Sequence, residues 1–245
     1  MTLRLRYGFF LAGAAGLAAL LLWAAAGLPS FGDYKGPYGK VLNRVVVGER
    51  HTTEVVTAVV FDYRGLDTMG EEFILFASAI GVVLLLRDVR ERRTQPKEEV
   101  RSDAVRAAGL ILVPAVFLLG LYVVAHGYIT PGGGFQGGVV LAAAIVLVYL
   151  AAEYRAFRRI APLPVVDFVE GTGAGGYVVV GLAALLLGSA FLHNLLSLGT
   201  AGTLASSGSI PMLNVASALE VAAAFLLVFT EFLEELIERL GEERP

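Results

Sequence analysis

The 245-residue chain has no cysteine and only three histidines, His51, His126 and His193. Without cysteine there are no disulfides and no thiolate-held metals or iron–sulfur clusters. The histidines are not at metal-ligand spacing, so no metal is expected, and no residue pattern calls for a cofactor. Charge is also scarce: Asp, Glu, Lys and Arg make up 17% of the chain, against roughly 25% in an average soluble domain. The net charge of −3 leaves no basic footprint for nucleic acid. There is no Gly-rich P-loop, and no nucleophile–base pair can be assembled from these residues, which argues against an independent soluble enzyme.

What the chain has is hydrocarbon. It is 56% hydrophobic, with a mean hydropathy of +0.71, the composition of an integral membrane protein. Tyr7–Leu28 is apolar for 22 residues, preceded by Arg4 and Arg6 and followed by Pro29. That length crosses about 30 Å of hydrocarbon, and an uncleaved span is favoured over a signal peptide. Ser30–His51 reads as a polar loop. Thr52–Arg64 is too short to span. Val55, Val56, Val59, Val60 and Tyr63 share one helical face, so it reads as an amphipathic helix at the interface or against other helices. Thr68 and Glu71 have the spacing of a capping box, Thr68 as N-cap and Glu71 at N3, opening a span Glu72–Leu86. Further spans are expected at Ala107–Ala125, Val139–Ala152, Tyr177–Leu198 and Leu213–Leu236. The fold expected is all-α, with about six transmembrane helices plus one short amphipathic interfacial helix.

Between the third and fourth spans lies an uncharged stretch, Pro131-Gly132-Gly133-Gly134-Phe135-Gln136-Gly137-Gly138, with five glycines in eight residues. It reads as a glycine-rich hairpin or as a packing surface in a membrane complex. The later Gly171-Thr172-Gly173-Ala174-Gly175-Gly176 superficially resembles a dinucleotide fingerprint, but it opens an apolar run and reads as a loop. Residues 87–106 are a charge block broken by Pro96. The segments 1–6, 87–106, 153–176 and 237–245 hold 14 of the 19 Lys and Arg residues. Placing them inside puts both termini in the cytoplasm.

Ionisable groups near hydrocarbon depth are costly and point to function. Asp62, Asp67, Glu71 and Glu72 cluster at the break before the second span. Helix capping at a headgroup-level solvated face is one reading of them. The other is a carboxylate on a proton or sodium path, since burial lets a carboxyl take and release protons near neutral pH. Glu220 stands alone midway along the last span, so it is either functional or internally hydrogen-bonded. Glu231 is nearer the helix end and reads as solvated. His126 and His193 sit at span ends, as interfacial hydrogen-bonding residues or as proton relays.

Two stretches resemble known membrane proteins. Residues 104–240, through the glycine motif 131–138, Ile210-Pro211-Met212-Leu213-Asn214 and Glu220, resemble the B subunit of Mrp-type multisubunit Na+/H+ antiporters. Thr53–Glu71 is similar to the C-terminal region of the A subunit, which in membrane-bound hydrogenases of the same superfamily is a separate small subunit. The division this implies is an A-like segment over 1–90, a charged linker over 91–103 and a B-like four-helix domain over 104–245. The resemblance also implies a place among other membrane subunits of an Mrp-like complex, Na+ and H+ as transported ions, and a multi-pass location in the cell (inner) membrane. The ion-translocation residues it adds to the pattern are Asp62, Asp67 and above all Glu71, with Glu72, Glu220 and His126 beside them. Glu72 departs from the family, which has an uncharged residue there. Two other roles remain open: the same module in a redox-driven complex such as a membrane-bound hydrogenase, and a structural scaffold.

Overall fold

A computed structural model describes residues 3–28, 36–87 and 102–242 of the chain. The described residues form eight α-helices and one π-helical turn, with no strand. Six helices are long and apolar enough to cross a membrane: Tyr7–Ala26, Gly65–Arg87, Asp103–His126, Gly134–Ile160, Leu163–Leu186 and Ile210–Leu236. The chain divides into two compact units, residues 1–41 and 42–245. The first holds α1 (Leu3–Ala26), whose apolar window buries nothing.

Helix α2 (Pro37–Arg50) replaces the loop expected over 30–51 where that segment is described. Pro37 suits the first helical position, and Leu42 and Val46, one turn apart, are buried. The glycines, proline and tyrosines around this helix hid a short apolar stripe.

Helix α3 (Val55–Ala58) is capped by the Glu54 carboxylate, which accepts from the Thr57 N–H at 2.5 Å. It runs into a π turn, Val59–Tyr63, closed by the Arg64 N–H on the Val59 carbonyl at 2.8 Å. The wider turn shifts the register. The buried side chains are therefore Thr57, Ala58 and Phe61, while Val56, on the face expected to pack, is exposed. The segment is tied to the bundle by Thr57, whose hydroxyl donates to the Gly127 carbonyl at 2.6 Å, and by the Glu54 N–H on the Tyr128 carbonyl at 3.3 Å. It packs among helices, the second of the two placements open to it.

Helix α4 (Gly65–Arg87) begins earlier than the capping-box reading allowed. Thr68 is inside it and donates its hydroxyl to the Val60 carbonyl at 2.6 Å. Helix α5 (Asp103–His126) is capped by Ser102. The turn to α6 (Gly134–Ile160) is shorter than the glycine motif: Pro131–Gly133 turn, while Gly134, Gly137 and Gly138 are helical and buried. Gly133 has φ 140°, open only to glycine. A Cβ on Gly134 would strike the Asn214 carbonyl, and one on Gly138 would lie 2.8 Å from the Ala218 carbonyl. The motif is thus a contact face for α8 (Ile210–Glu242), as small residues are at close membrane helix crossings. Helix α6 leaves helical geometry at Ala152 and Glu153 before resuming.

Helix α7 (Leu163–Leu186) overturns the expected fifth span. Pro162 caps it and Pro164 lies in its first turn. The glycine stretch 171–176, expected as a loop, is within the helix, and His193 falls in the loop after it. Helix α8 packs against α4, α6 and α7. Two apolar clusters lie along it, on either side of Ser217 and Glu220. One gathers Phe61, Tyr128, Tyr177, Ile210 and Leu213; the other gathers Ala142, Phe157, Val166, Ala223 and Leu227.

Candidate ion-translocation site

Between those two apolar clusters lies a polar layer. On α8 it is Ser217 and Glu220, on α4 Glu72, on α7 Glu170. Glu220 is 0% exposed, Glu72 2% and Glu170 4%. The Ser217 hydroxyl donates to Glu72 Oε1 in a short hydrogen bond. The Glu72 and Glu220 carboxyls are within hydrogen-bonding reach of each other. Among the described residues no donor reaches Glu72 Oε2, either oxygen of Glu220, or Glu170 Oε1. Gly173 lets α7 approach α8 closely at this level, since a Cβ there would lie 2.7 Å from both Cα and Cβ of Glu220. Glu170, one turn earlier on α7, is an electrostatic neighbour of Glu220.

The row ends in a charge clamp. The Arg87 guanidinium at the end of α4 donates to Glu231 Oε1 at 2.9 Å, and to both Asp167 oxygens at 3.1 and 3.3 Å. Glu231, expected as solvated, is 0% exposed, because α8 carries it inward to this arginine.

At the other end, the adjacent pair Glu71 and Glu72 is split by helix geometry. Glu72 turns into the polar layer. Glu71 is exposed and lines a cleft of about 260 Å3 with Thr57, Thr68, Gly133, Gln136 and Ser217. Ser217 therefore touches both the cleft and the buried pair. Gly132, Gly134 and Phe135 complete the same wall.

Asp62 belongs to a different cluster. It accepts from Arg50 Nε at 2.8 Å and Asn194 Nδ2 at 3.0 Å, and Asn194 Oδ1 in turn accepts from the Ser209 N–H at 2.7 Å. This network pins the 187–209 loop to the π turn. Arg50 also lies 4.9 Å over the Tyr63 ring, and the Tyr63 hydroxyl donates to Glu49 at 2.7 Å. Burial, then that bond, push the Tyr63 phenol up to about 12. Asp67 pairs with Arg64. Asp62, Asp67 and His193 line a second cleft, about 580 Å3. His126 stacks on Tyr122 with ring centroids 4.3 Å apart and lines neither cleft.

Pattern reading missed Glu170, Asp167, Arg87 and Ser217. The expected topology puts Asp167 and Glu170 in the inside segment 153–176. Their signal is two carboxylates three residues apart in the otherwise apolar run 165–170.

The arrangement is a row of carboxylates through a membrane bundle, the chemistry for moving protons or small cations. Among solved structures, the chain is similar to one of the membrane-bound sulfane sulfur reductase, an archaeal respiratory membrane complex. The identity is 31% and the TM-score 0.75, covering 94% of this chain and 98% of that one. It is also similar to a chain of the Mrp complex from Dietzia sp. DQ12-45-1b, at 25% identity and TM-score 0.70, covering 92% of this chain and 26% of that one. The B subunit of the Na+/H+ antiporter of Bacillus subtilis is 31% identical over 96 residues, 39% of this chain and 66% of that protein. The family described as "domain related to MnhB subunit of Na+/H+ antiporter" matches residues 104–227, half of the sequence, and the chain belongs to that family.

Proposed function

We propose that this multi-pass membrane protein works as a subunit of a multisubunit Na+/H+ antiporter and carries one stretch of its ion route. The single observation behind this reading is the buried Glu72–Glu220 pair, two carboxyls in a bundle core to which no cationic side chain among the described residues donates. An uncompensated anion at that depth is costly, so a mobile cation is what the pair is built to meet. The route enters through the Glu71 cleft, passes Ser217, Glu72 and Glu220, and leaves by Glu170 towards Asp167. Asp62 and Asp67 line the second cleft, each balanced by an arginine, and stand beside the route rather than on it, while the glycine face 131–138 holds the walls together. His126 stays at the margin. Other membrane subunits complete the path, since the Arg87 clamp closes the row at its inner end.

The charge distribution supports a cell-membrane location with both termini cytoplasmic, the glycine turn and Glu71 on the outer side and Arg87, Asp167 and Glu231 on the inner side. The test is Na+-driven proton flux in vesicles carrying the whole assembly. Glu220→Gln should lower the flux by about 100-fold, the low end for losing a proton-transfer group, with the assembly recovered intact. Glu71→Gln, at the exposed mouth, should slow it less. Wild-type flux in Glu220→Gln would remove the pair from the route.

One observation favours a second reading. The sulfane sulfur reductase match covers almost all of a chain from a respiratory complex. The same module would then move ions under electron transfer elsewhere, and iron–sulfur proteins co-purifying with the chain would decide for it.

A further inference from the structure

We propose that Glu72, Glu220 and the Ser217 hydroxyl form a binding site for one monovalent cation, at which a proton and a dehydrated sodium ion exclude each other. This deepens the proposed function by naming what occupies the pair. Three features carry it. Both carboxyls are enclosed, and three of their four oxygens have no donor. The one donor present, Ser217, is already used on the fourth oxygen, Glu72 Oε1. The titratable groups facing the pair are Glu71 on α4 with Glu170 and Tyr177 on α7, all of them acids. The Arg87 guanidinium, at the end of the row, is occupied by Asp167 and Glu231.

A shared proton would join Glu72 Oε2 to one Glu220 oxygen. A sodium ion would take the same oxygens, hard donors that suit an alkali cation better than a transition metal. Both occupants need one gap, and the gap is fixed because the Glu220 backbone is pressed against Gly173. Among the described residues no group of three or more His, Asp or Glu side chains could hold a metal ion, so the site offers two carboxyls and one hydroxyl and no more. The cleft lined by Ser217 gives an ion its way in. When sodium enters, one proton leaves, and the charge of the site is unchanged.

The purified, intact assembly is treated with dicyclohexylcarbodiimide, which reacts with protonated buried carboxyls, in choline chloride or in NaCl. The chain is then read by peptide mass spectrometry. The expected result is one adduct per chain, on Glu72 or Glu220, reduced several-fold by Na+ and not by choline. Labelling indifferent to Na+, or adducts on both carboxyls of one chain, overturns the site. If no adduct forms, equilibrium 22Na+ binding decides: one ion fewer per chain in Glu220→Gln supports the site, and unchanged binding overturns it. Flux lost in Glu220→Gln together with Na+-indifferent labelling would leave the route standing and this shared site refuted.

Discussion

Gly173 has no side chain because Glu220 fills the space one would need. Its missing Cβ would meet the Glu220 backbone and stem, atoms that cannot swing aside. Gly173→Ala should therefore part α7 from α8 at the polar layer, costing about 1–3 kcal/mol, and should abolish Na+ protection of the carboxyl pair. Gly175→Ala is the control. A Cβ there meets nothing within 4 Å, and alanine should gain up to ~1 kcal/mol of helix propensity. Thermal melting of the assembly separates the two, and equal melting would refute the close-contact argument. The residues involved were unequally legible. Glu220 stands out in sequence because it is alone in an apolar run. Glu72 does not outrank Glu71, since adjacent residues are separated only by which way the helix faces, and that depends on the π turn upstream. Glu170 was hidden by a wrong span boundary.

At the scale of helices, Arg87 joins α4, α7 and α8 through Asp167 and Glu231. Breaking a buried pair costs ~3–5 kcal/mol because the partner is left charged and alone. Arg87 is 35% exposed while Glu231 is 0%, so Arg87→Gln should cost less, about 2 kcal/mol. It should also raise passive proton leak in vesicles, as Asp167 and Glu231 lose the charge that closes the row. A tight membrane in that variant would mean the clamp only holds helices together. Helix α7 shows why the boundaries near this clamp were hard to read. Six residues with four glycines suggest a loop by the rules of water-soluble chains, yet within a membrane bundle the same glycines are packing positions. The π turn had a similar effect on the short amphipathic helix. Counting at 3.6 residues per turn chose Val55, Val56 and Tyr63, while the wider turn buries Thr57, Ala58 and Phe61. The PGGGFQGG stretch was legible as a packing surface, but its extent as a turn was not, since a helix can start on a glycine once α8 supports it.

For the molecule as a whole, membrane class and span number follow from length and hydropathy, but the arrangement of spans does not. Helix α5 is the most apolar, with hydropathy 2.5 and 17% of its window buried, whereas α8 has hydropathy 2.0 and 67% buried. Lipid is as good a solvent for leucine as a protein core, so hydropathy does not separate an outer helix from a central one. Small side chains mark the centre instead: Ala216, Ala218, Ala223 and Ala224 are all buried on α8. Stability should then be concentrated along this one helix. Ala224→Leu adds three carbons where no surface is exposed, and overpacking of about 1–3 kcal/mol or more follows. Val215→Leu enlarges a side chain on the open face of the same helix and should be nearly neutral. Recovery of the intact assembly from membranes should fall sharply for the first and hold for the second. Equal recovery would mean that the bundle does not depend on α8, and the carboxylate layer built on that helix would lose its scaffold.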